Sequence, residues 1–248
     1  MVSNGTQQSA RTDEAIILAG GFGTRLASVV ADVPKPMAPV AGRAFLYYLL
    51  DALQAQGVGR VILAVHHLAD TIAAVGPAYR GMRLEYLREG TPLGTGGAIR
   101  QAISRIEGED ALVLNGDTYL DIDYQAVLGH RRATSADLVL AVRPVADGAR
   151  YSLVEADADG LVTGFLPTGA AGRPGLIGAG VYALRRGLFE TFDLPAAFSF
   201  EADVLARLTG NLRVQTYRCD GYFIDIGVPE DYRRAQTELP EIAGAAED

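Results

Sequence analysis

The residues with the clearest chemical potential in this chain of 248 are a glycine-rich loop, a single lysine and a few aspartates. The stretch LAGGFGTRLASVVADVPKPMAPVAGR begins at Leu18. It holds Gly20, Gly21 and Gly23, then Thr24 and Arg25, and ten residues later Lys35. Glycines let a backbone approach a phosphate closely, and their N–H groups can form an anion nest. Arg25 adds a permanent cation suited to phosphate oxygens. Lys35 is the sole lysine of the sequence, every other strong cation being arginine. Flanked by Pro34 and Pro36, it sits in a segment expected to be non-helical and to project its ammonium along a fixed path. An ammonium is a compact point charge and a guanidinium a planar fork. Keeping lysine at one position in so arginine-rich a chain points to a task that arginine cannot do there.

The loop matches neither of two common phosphate-binding patterns. It lacks the third glycine of a dinucleotide fingerprint and the Gly-Lys-Ser/Thr ending of a Walker loop. Asp117 closes the run ALVLNGD (111–117), where a metal ligand would face a crevice at a strand end. Asp121 and Asp123 have a D-x-D spacing but precede a helical pattern, so they are expected to form a turn and a cap. His66, His67 and His130 have no second His or Cys at metal-ligand spacing, and are expected to be structural or solvated.

These residues must be positioned by elements, and the apolar pattern supplies them. Continuous apolar runs at 15–20, 60–67, 82–89, 111–117 and 137–145 predict buried strands. Helical patterns alternate with them at about 45–56, 70–75, 95–105 and 124–132, and another helix is expected to start near Thr24. Such alternation predicts a parallel sheet covered on both faces, with ligands bound beyond the carboxyl ends of the strands. After Pro144 the rhythm changes. Runs at 151–157 and 161–166 flank a hairpin signal, followed by a strand at 175–184, a helix at about 199–209, a strand at 212–218 and a helix from Pro229 to about Glu238. The expected organisation is a flexible tail (1–13), one domain (14–240) with halves at about 14–145 and 146–240, and a C-terminal tail (241–248).

Composition narrows the function class. Apolar residues make up 49% and charged residues 21%, which is ordinary globular chemistry. A net charge of −8 argues against a nucleic-acid or membrane partner, both of which need a basic face. One cysteine, Cys219, allows no intrachain disulfide. With no secretory signal and no membrane-length apolar run, this gives a cytoplasmic expectation.

Taken together, LAGGFGTRL and DVPKPMAPVAGR resemble the GGxGTRL…PKP signature of the sugar-1-phosphate nucleotidyltransferases. The resemblance runs from about Ala15 to Ala235. It includes PLGTGGA (92–98), LNGD (114–117), RYSLVE (150–155), GAGVYAL (178–184), FSFEADV (198–204) and GYFIDIG (221–227). The wording is most similar to the D-glycero-α-D-manno-heptose 1-phosphate guanylyltransferases. The resemblance implies a Rossmann-like nucleotidyltransferase fold, with a mostly parallel central sheet, helices on both faces and a smaller β-rich sugar-binding part. The implied reaction is attack of a sugar-1-phosphate oxygen on the α-phosphorus of an NTP, releasing pyrophosphate with Mg²⁺ as clamp. The implied partners are these small molecules, acting on a monomer or homodimer.

By the same resemblance Asp225 joins Asp117 at the metal, Arg25 holds the leaving pyrophosphate and Lys35 stabilises charge at the reacting phosphates. Nucleotide binding falls to Leu18, Ala19, Gly20, Gly21, Gly23, Thr24, Glu89, Pro92, Gly94, Thr95, Asn115 and Gly116. Sugar-phosphate binding falls to Arg150, Tyr151, Ser152, Glu155, Arg173, Gly178 and Glu201. Glu89 occupies the family's base-reading position, where relatives using uridine or thymidine nucleotides tend to have Gln. A carboxylate only accepts hydrogen bonds, which suits the adjacent N1–H and N2–H₂ donors of guanine and repels the carbonyls of uracil or thymine. GTP is therefore favoured over UTP or dTTP. The acceptor side departs from the family. Its Glu-Lys pair is replaced by Pro167 and Thr168, and Ala202 stands where SxEKD has lysine. Arg150 and Arg173 are the candidate replacements. The alternatives are a UTP- or dTTP-using enzyme and a catalytically weak nucleotide-binding regulator.

Overall fold

The computed structural model describes residues 13–21, 33–169 and 171–244. Gly23, Thr24, Arg25 and the helix expected near them lie outside the described residues. So do residues 1–12 of the expected N-terminal tail.

The first half is a parallel sheet built around β1 (Glu14–Leu18). The segment after it forms one turn of 3-10 helix at Lys35–Met37 and the short pair β2 (Pro39–Val40) and β3 (Arg43–Ala44). Helix α1 (Phe45–Ala55) leads to β4 (Arg60–Val65), and α2 (Ala69–Ala73) leads through the two-residue β5 (Ala78–Tyr79) to β6 (Met82–Arg88). Helix α3 (Gly94–Ile103) then leads to β7 (Asp110–Asn115). β1 pairs in parallel with β4 on one side and β7 on the other, and β6 adds beyond β4. The order β6-β4-β1-β7 reverses direction between β1 and β7, and the crevice of an open α/β sheet lies at such a switch point.

The second half turns antiparallel. β8 (Thr118–Leu120) follows β7, and α4 (Tyr124–Thr134) leads to β9 (Leu138–Val145). The hairpin β10 (Leu153–Ala156) and β11 (Val162–Leu166) precedes the long β12 (Gly175–Arg185). β12 runs antiparallel to β7, β9 and β10, and joins the halves into one ten-stranded sheet among the described residues. β13 (Val214–Arg218) pairs with β9, and β14 (Phe223–Asp225) pairs with β8 in a separate ribbon. Helix α5 (Pro229–Gly244) runs six residues past its expected end, through the first half of the expected C-terminal tail.

Alternation along the strands splits the core. Ala15 and Ile17 of β1 join an apolar cluster with α1, α4 and α5, and Ile16 joins the opposite one with α3 and Phe200. Helix α1 stops where expected because Gly57 takes φ +82, and Val58 N–H donates back to Leu53 O at 3.1 Å. Asp123 caps α4 by accepting from Ala126 N–H at 2.9 Å, as its position predicts. Two expectations change. The segment around Lys35 is helical for one turn, because Pro36 sits at a helix start, where a missing N–H costs nothing. The helix expected at 199–209 is π-helical over Phe200–Ala206, a rare form that is frequent at functional sites.

Candidate active site

The carboxyl ends of the parallel strands open into a cavity of about 300 Å³. Its walls follow the sheet order. Leu18, Ala19, Gly20 and Gly21 come from the end of β1, and Ala64 and His66 from the end of β4. Glu89 stands past β6, and Asn115, Gly116 and Asp117 stand past β7. Pro92, Gly94 and Thr95, at the start of α3, close one side, and Lys35 closes another. Every described residue expected to bind nucleotide is in this lining.

Glu89 is anchored in place. Its Oε2 accepts from Leu93 N–H at 3.0 Å, and Oε1 lies 3.3 Å from where a Cβ on Gly20 would stand. The glycines of PLGTGGA serve packing. A Cβ on Gly94 would lie 2.5 Å from Phe198 O, and one on Gly96 would lie 2.2 Å from the Phe198 ring. The start of α3 is thereby pressed against residues 196–198. Thr95 Oγ1 completes the joint, donating to Glu201 Oε2 at 2.8 Å and accepting from Phe200 N–H at 2.9 Å. The sequence patterns do not reveal this joint, because its partners are about a hundred residues apart.

A second cavity, of about 750 Å³, lies on the antiparallel side. Arg150, Tyr151, Ser152, Gly178, Glu201 and Asp225 line it, together with Ala202 of the π-helical turn. Asn115 and Glu201 belong to both linings, so the cavities adjoin. Glu155 and Arg173 do not line it. Alternation along β10 points Ser152 and Val154 into the cavity and Glu155 away from it, where it approaches Arg173 at 4.0 Å. Thr168, at one lost lysine position, lies with its Oγ1 3.4 Å from Ser152 Oγ.

Three charged groups converge where the cavities meet. Lys35 Nζ donates to Asp117 Oδ2 at 2.7 Å, both side chains being largely buried. Asp225 arrives through the β8–β14 ribbon, which pairs it with Thr118, and Ile226 N–H donates to Asp117 O at 2.9 Å. A Cβ built on Gly227 would lie 2.7 Å from Asp225 Oδ1, 3.1 Å from Lys35 Nζ and 3.5 Å from Asp117 Oδ2. All three groups thus surround one point. Among the described residues no group of three or more His, Cys, Asp or Glu is placed to hold a metal ion by itself. Two carboxylates at the meeting point of two cavities nonetheless suit a hard divalent cation that takes its remaining ligands from small molecules and water.

Fold and site together define an α/β protein with a crevice at the carboxyl ends of its parallel strands and a charged junction where that crevice meets a second cavity. The Nucleotidyl transferase family model matches residues 14–242, and the chain belongs to that family. It is 40% identical over 227 residues to D-glycero-alpha-D-manno-heptose 1-phosphate guanylyltransferase of Aneurinibacillus thermoaerophilus, covering 91% of this chain and 98% of the relative. The Campylobacter jejuni protein of the same name is 40% identical over 220 residues, covering 88% and 96%. Among solved structures, HddC from Yersinia pseudotuberculosis complexed with GMP-PN superposes with a TM-score of 0.80 at 38% identity, covering 92% of this chain and all of that one.

Proposed function

We propose that this protein transfers GMP from GTP to a sugar 1-phosphate of the heptose or mannose type, releasing pyrophosphate. The observation that carries the proposal is the junction at Gly227. There Lys35 and Asp117 of the smaller crevice meet Asp225 of the wider cavity around one point, and Asn115 and Glu201 line both. The 40% identity to heptose 1-phosphate guanylyltransferases over nearly their whole length supports the choice of donor and acceptor. Glu89, held in the first cavity, supports guanine through its two acceptor oxygens.

In the reaction a phosphate oxygen of the acceptor forms a bond to the α-phosphorus of GTP. The bond from that phosphorus to the oxygen bridging to the β-phosphate breaks, and that oxygen leaves with pyrophosphate. The attacking phosphate is already ionised, so no general base is required. Two anions must be held together, and positioning with charge neutralisation carries the rate. Asp117 and Asp225 would hold Mg²⁺, which when bound supplies charge neutralisation at the phosphate oxygens. Lys35 contributes a fixed ammonium beside Asp117, where charge builds in the transition state. Arg25, outside the described residues, is the proposed cation for the departing pyrophosphate. The wider cavity takes the sugar, with Glu201 at the shared wall.

The test is pyrophosphate release with Mg²⁺, crossing GTP, ATP, CTP, UTP and dTTP with heptose-, mannose- and glucose-1-phosphate. Release with GTP and the heptose or mannose ester is the expected outcome. Release with UTP or dTTP alone would overturn the base assignment. GTP binding without turnover on any acceptor would replace the enzyme with a nucleotide-binding regulator. No helix among the described residues is long and apolar enough to cross a membrane.

A further inference from the structure

The acceptor brings a dianionic phosphate to the junction, next to Asp117 and Asp225, and some cation must meet it. Among the described residues that line the two cavities, Lys35 and Arg150 are the cationic side chains. Lys35 is engaged with Asp117. Arg150 lines the wider cavity together with Asp225, and its guanidinium lies 5.4 Å from the centre of the Tyr151 ring. Its Nη2 donates to Asp231 Oδ2 at 2.8 Å.

Asp231 is the notable partner. It lies in the first turn of α5 and is only 6% exposed, yet it carries a carboxylate. Its other oxygen, Oδ1, accepts from Arg234 Nη1 at 3.0 Å, and Arg234 is in turn forked onto Glu238. Glu238 also accepts from the Tyr222 hydroxyl. Helix α5 is itself fastened to the segment after Lys35, through Tyr232 Oη donating to Pro39 O at 2.6 Å. The result is a buried anion, fixed on both sides, that grips one end of a half-exposed arginine. A guanidinium has five donors in a planar fork, so one edge can be held by Asp231 while others face a ligand.

We infer that Arg150 is the cation for the acceptor phosphate, standing in for the lysines absent at Thr168 and Ala202, and that Asp231 is the residue that positions it. This deepens the proposed transferase reading and rests on it. Asp231 acts only through Arg150 and touches no substrate. Its net effect is to convert a flexible surface arginine into a preorganised one, so that less side-chain freedom is lost when the phosphate arrives.

The experiment measures separate KM values for GTP and for the acceptor ester, using the full chain and its R150A, R150K, D231N and R150A/D231N variants. R150A should raise the acceptor KM by about 10- to 100-fold, the effect of one charge-assisted hydrogen bond, with the GTP KM within about twofold. R150K should recover part of that loss. D231N should raise the acceptor KM by about 5- to 10-fold in the wild-type background and by nothing further in the R150A background. Equal effects of D231N in both backgrounds would overturn the positioning role. An R150A protein that still turns over with an unchanged acceptor KM would overturn the Arg150 assignment and leave the reaction standing. No turnover by the unaltered protein would overturn the reaction itself. Should D231N fold poorly, R150A and R150K decide the phosphate assignment by themselves, since Asp231 keeps its bond from Arg234 when Arg150 is replaced.

Discussion

Replacing Gly227 by alanine should disable the reaction centre while sparing the fold. Gly227 takes no left-handed backbone angle, so alanine is conformationally allowed there. The added methyl would stand 2.7 Å from Asp225 Oδ1 and 3.1 Å from Lys35 Nζ, where ordinary contact begins at 3.4 Å. Asp225 must therefore retreat by roughly 0.7 Å and Lys35 by roughly 0.3 Å to regain normal contact. Asp225 Oδ1 also accepts from Gly227 N–H at 2.7 Å, so its retreat weakens one hydrogen bond, a cost of about 1 kcal/mol. Loss of glycine freedom in the unfolded chain offsets it by about 0.4–1 kcal/mol. The catalytic cost is larger, because a misplacement of about 1 Å can lower a rate by about 10²-fold. The expected result is a kcat lowered about 30- to 100-fold, with a urea midpoint close to that of the unaltered protein. Pyrophosphate release at saturating substrates and a Mg²⁺ titration would read the effect. The titration should show weaker apparent metal binding, because one carboxylate has moved. A kcat within about threefold of the unaltered protein would refute the claim that Asp225, Lys35 and Asp117 act around one point. A large loss of stability would refute the argument differently, by showing that the backbone there needs glycine.

Three further outcomes follow from the same geometry. K35R should lower kcat by about 10²-fold or more with a smaller change in GTP KM; an active K35R protein would mean that a bare positive charge suffices. E89Q should keep an acceptor for Leu93 N–H but present a donor to guanine, lowering the GTP-to-UTP ratio of kcat/KM by about 10²-fold; an unchanged ratio would remove Glu89 from base reading. D110N should destabilise the protein by about 3 kcal/mol at pH 7, read from urea midpoints, because Asp110 is buried beneath Arg131 and Arg132. Burial pushes the Asp110 carboxyl up, but hydrogen bonds from Arg132 and Arg131 outweigh it and hold the pKa below the usual carboxylate value. That contribution is present above the unfolded pKa of about 3.9 and is lost as pH falls through the lower folded value. The gap between the two proteins should therefore narrow in strong acid.

What the sequence revealed follows the range of the forces involved. The parallel strands are buried on both faces, so Ile16, Ile17 and the run around Ile62 appear as unbroken apolar stretches. The residues that end those strands fall into the crevice by topology alone, which is why the lining of the first cavity is legible. The ribbon β8–β14 was not. Three-residue strands leave no period to detect, and their pairing joins distant parts of the chain. Asp225 was reached through family resemblance only, since nothing local marks it. Nothing in the sequence marks Asp231, because an aspartate in the first turn of a helix is ordinary and its partner Arg150 lies 81 residues away. Motif and charge place Glu155 and Arg173 with the sugar site, but strand alternation points Glu155 away from the wider cavity.

The lone lysine now has a physical explanation. Its ammonium fits a slot bounded by Asp117 Oδ2 at 2.7 Å and by the bare Cα of Gly227, where even one methyl would come within 3.1 Å of Nζ. Pro34 and Pro36 are both buried, so the chain entering and leaving Lys35 cannot shift to make room. A guanidinium is wider, and placing one there would displace Asp225 or push the 3-10 turn outward. Where a described cation sits in a broad ion-pair network, as Arg60 does between Glu14 and Glu85, arginine serves. Lysine was kept where the charge had to be small. Glycine at 227 belongs to the same constraint, because the space that admits the ammonium is the space a side chain would fill.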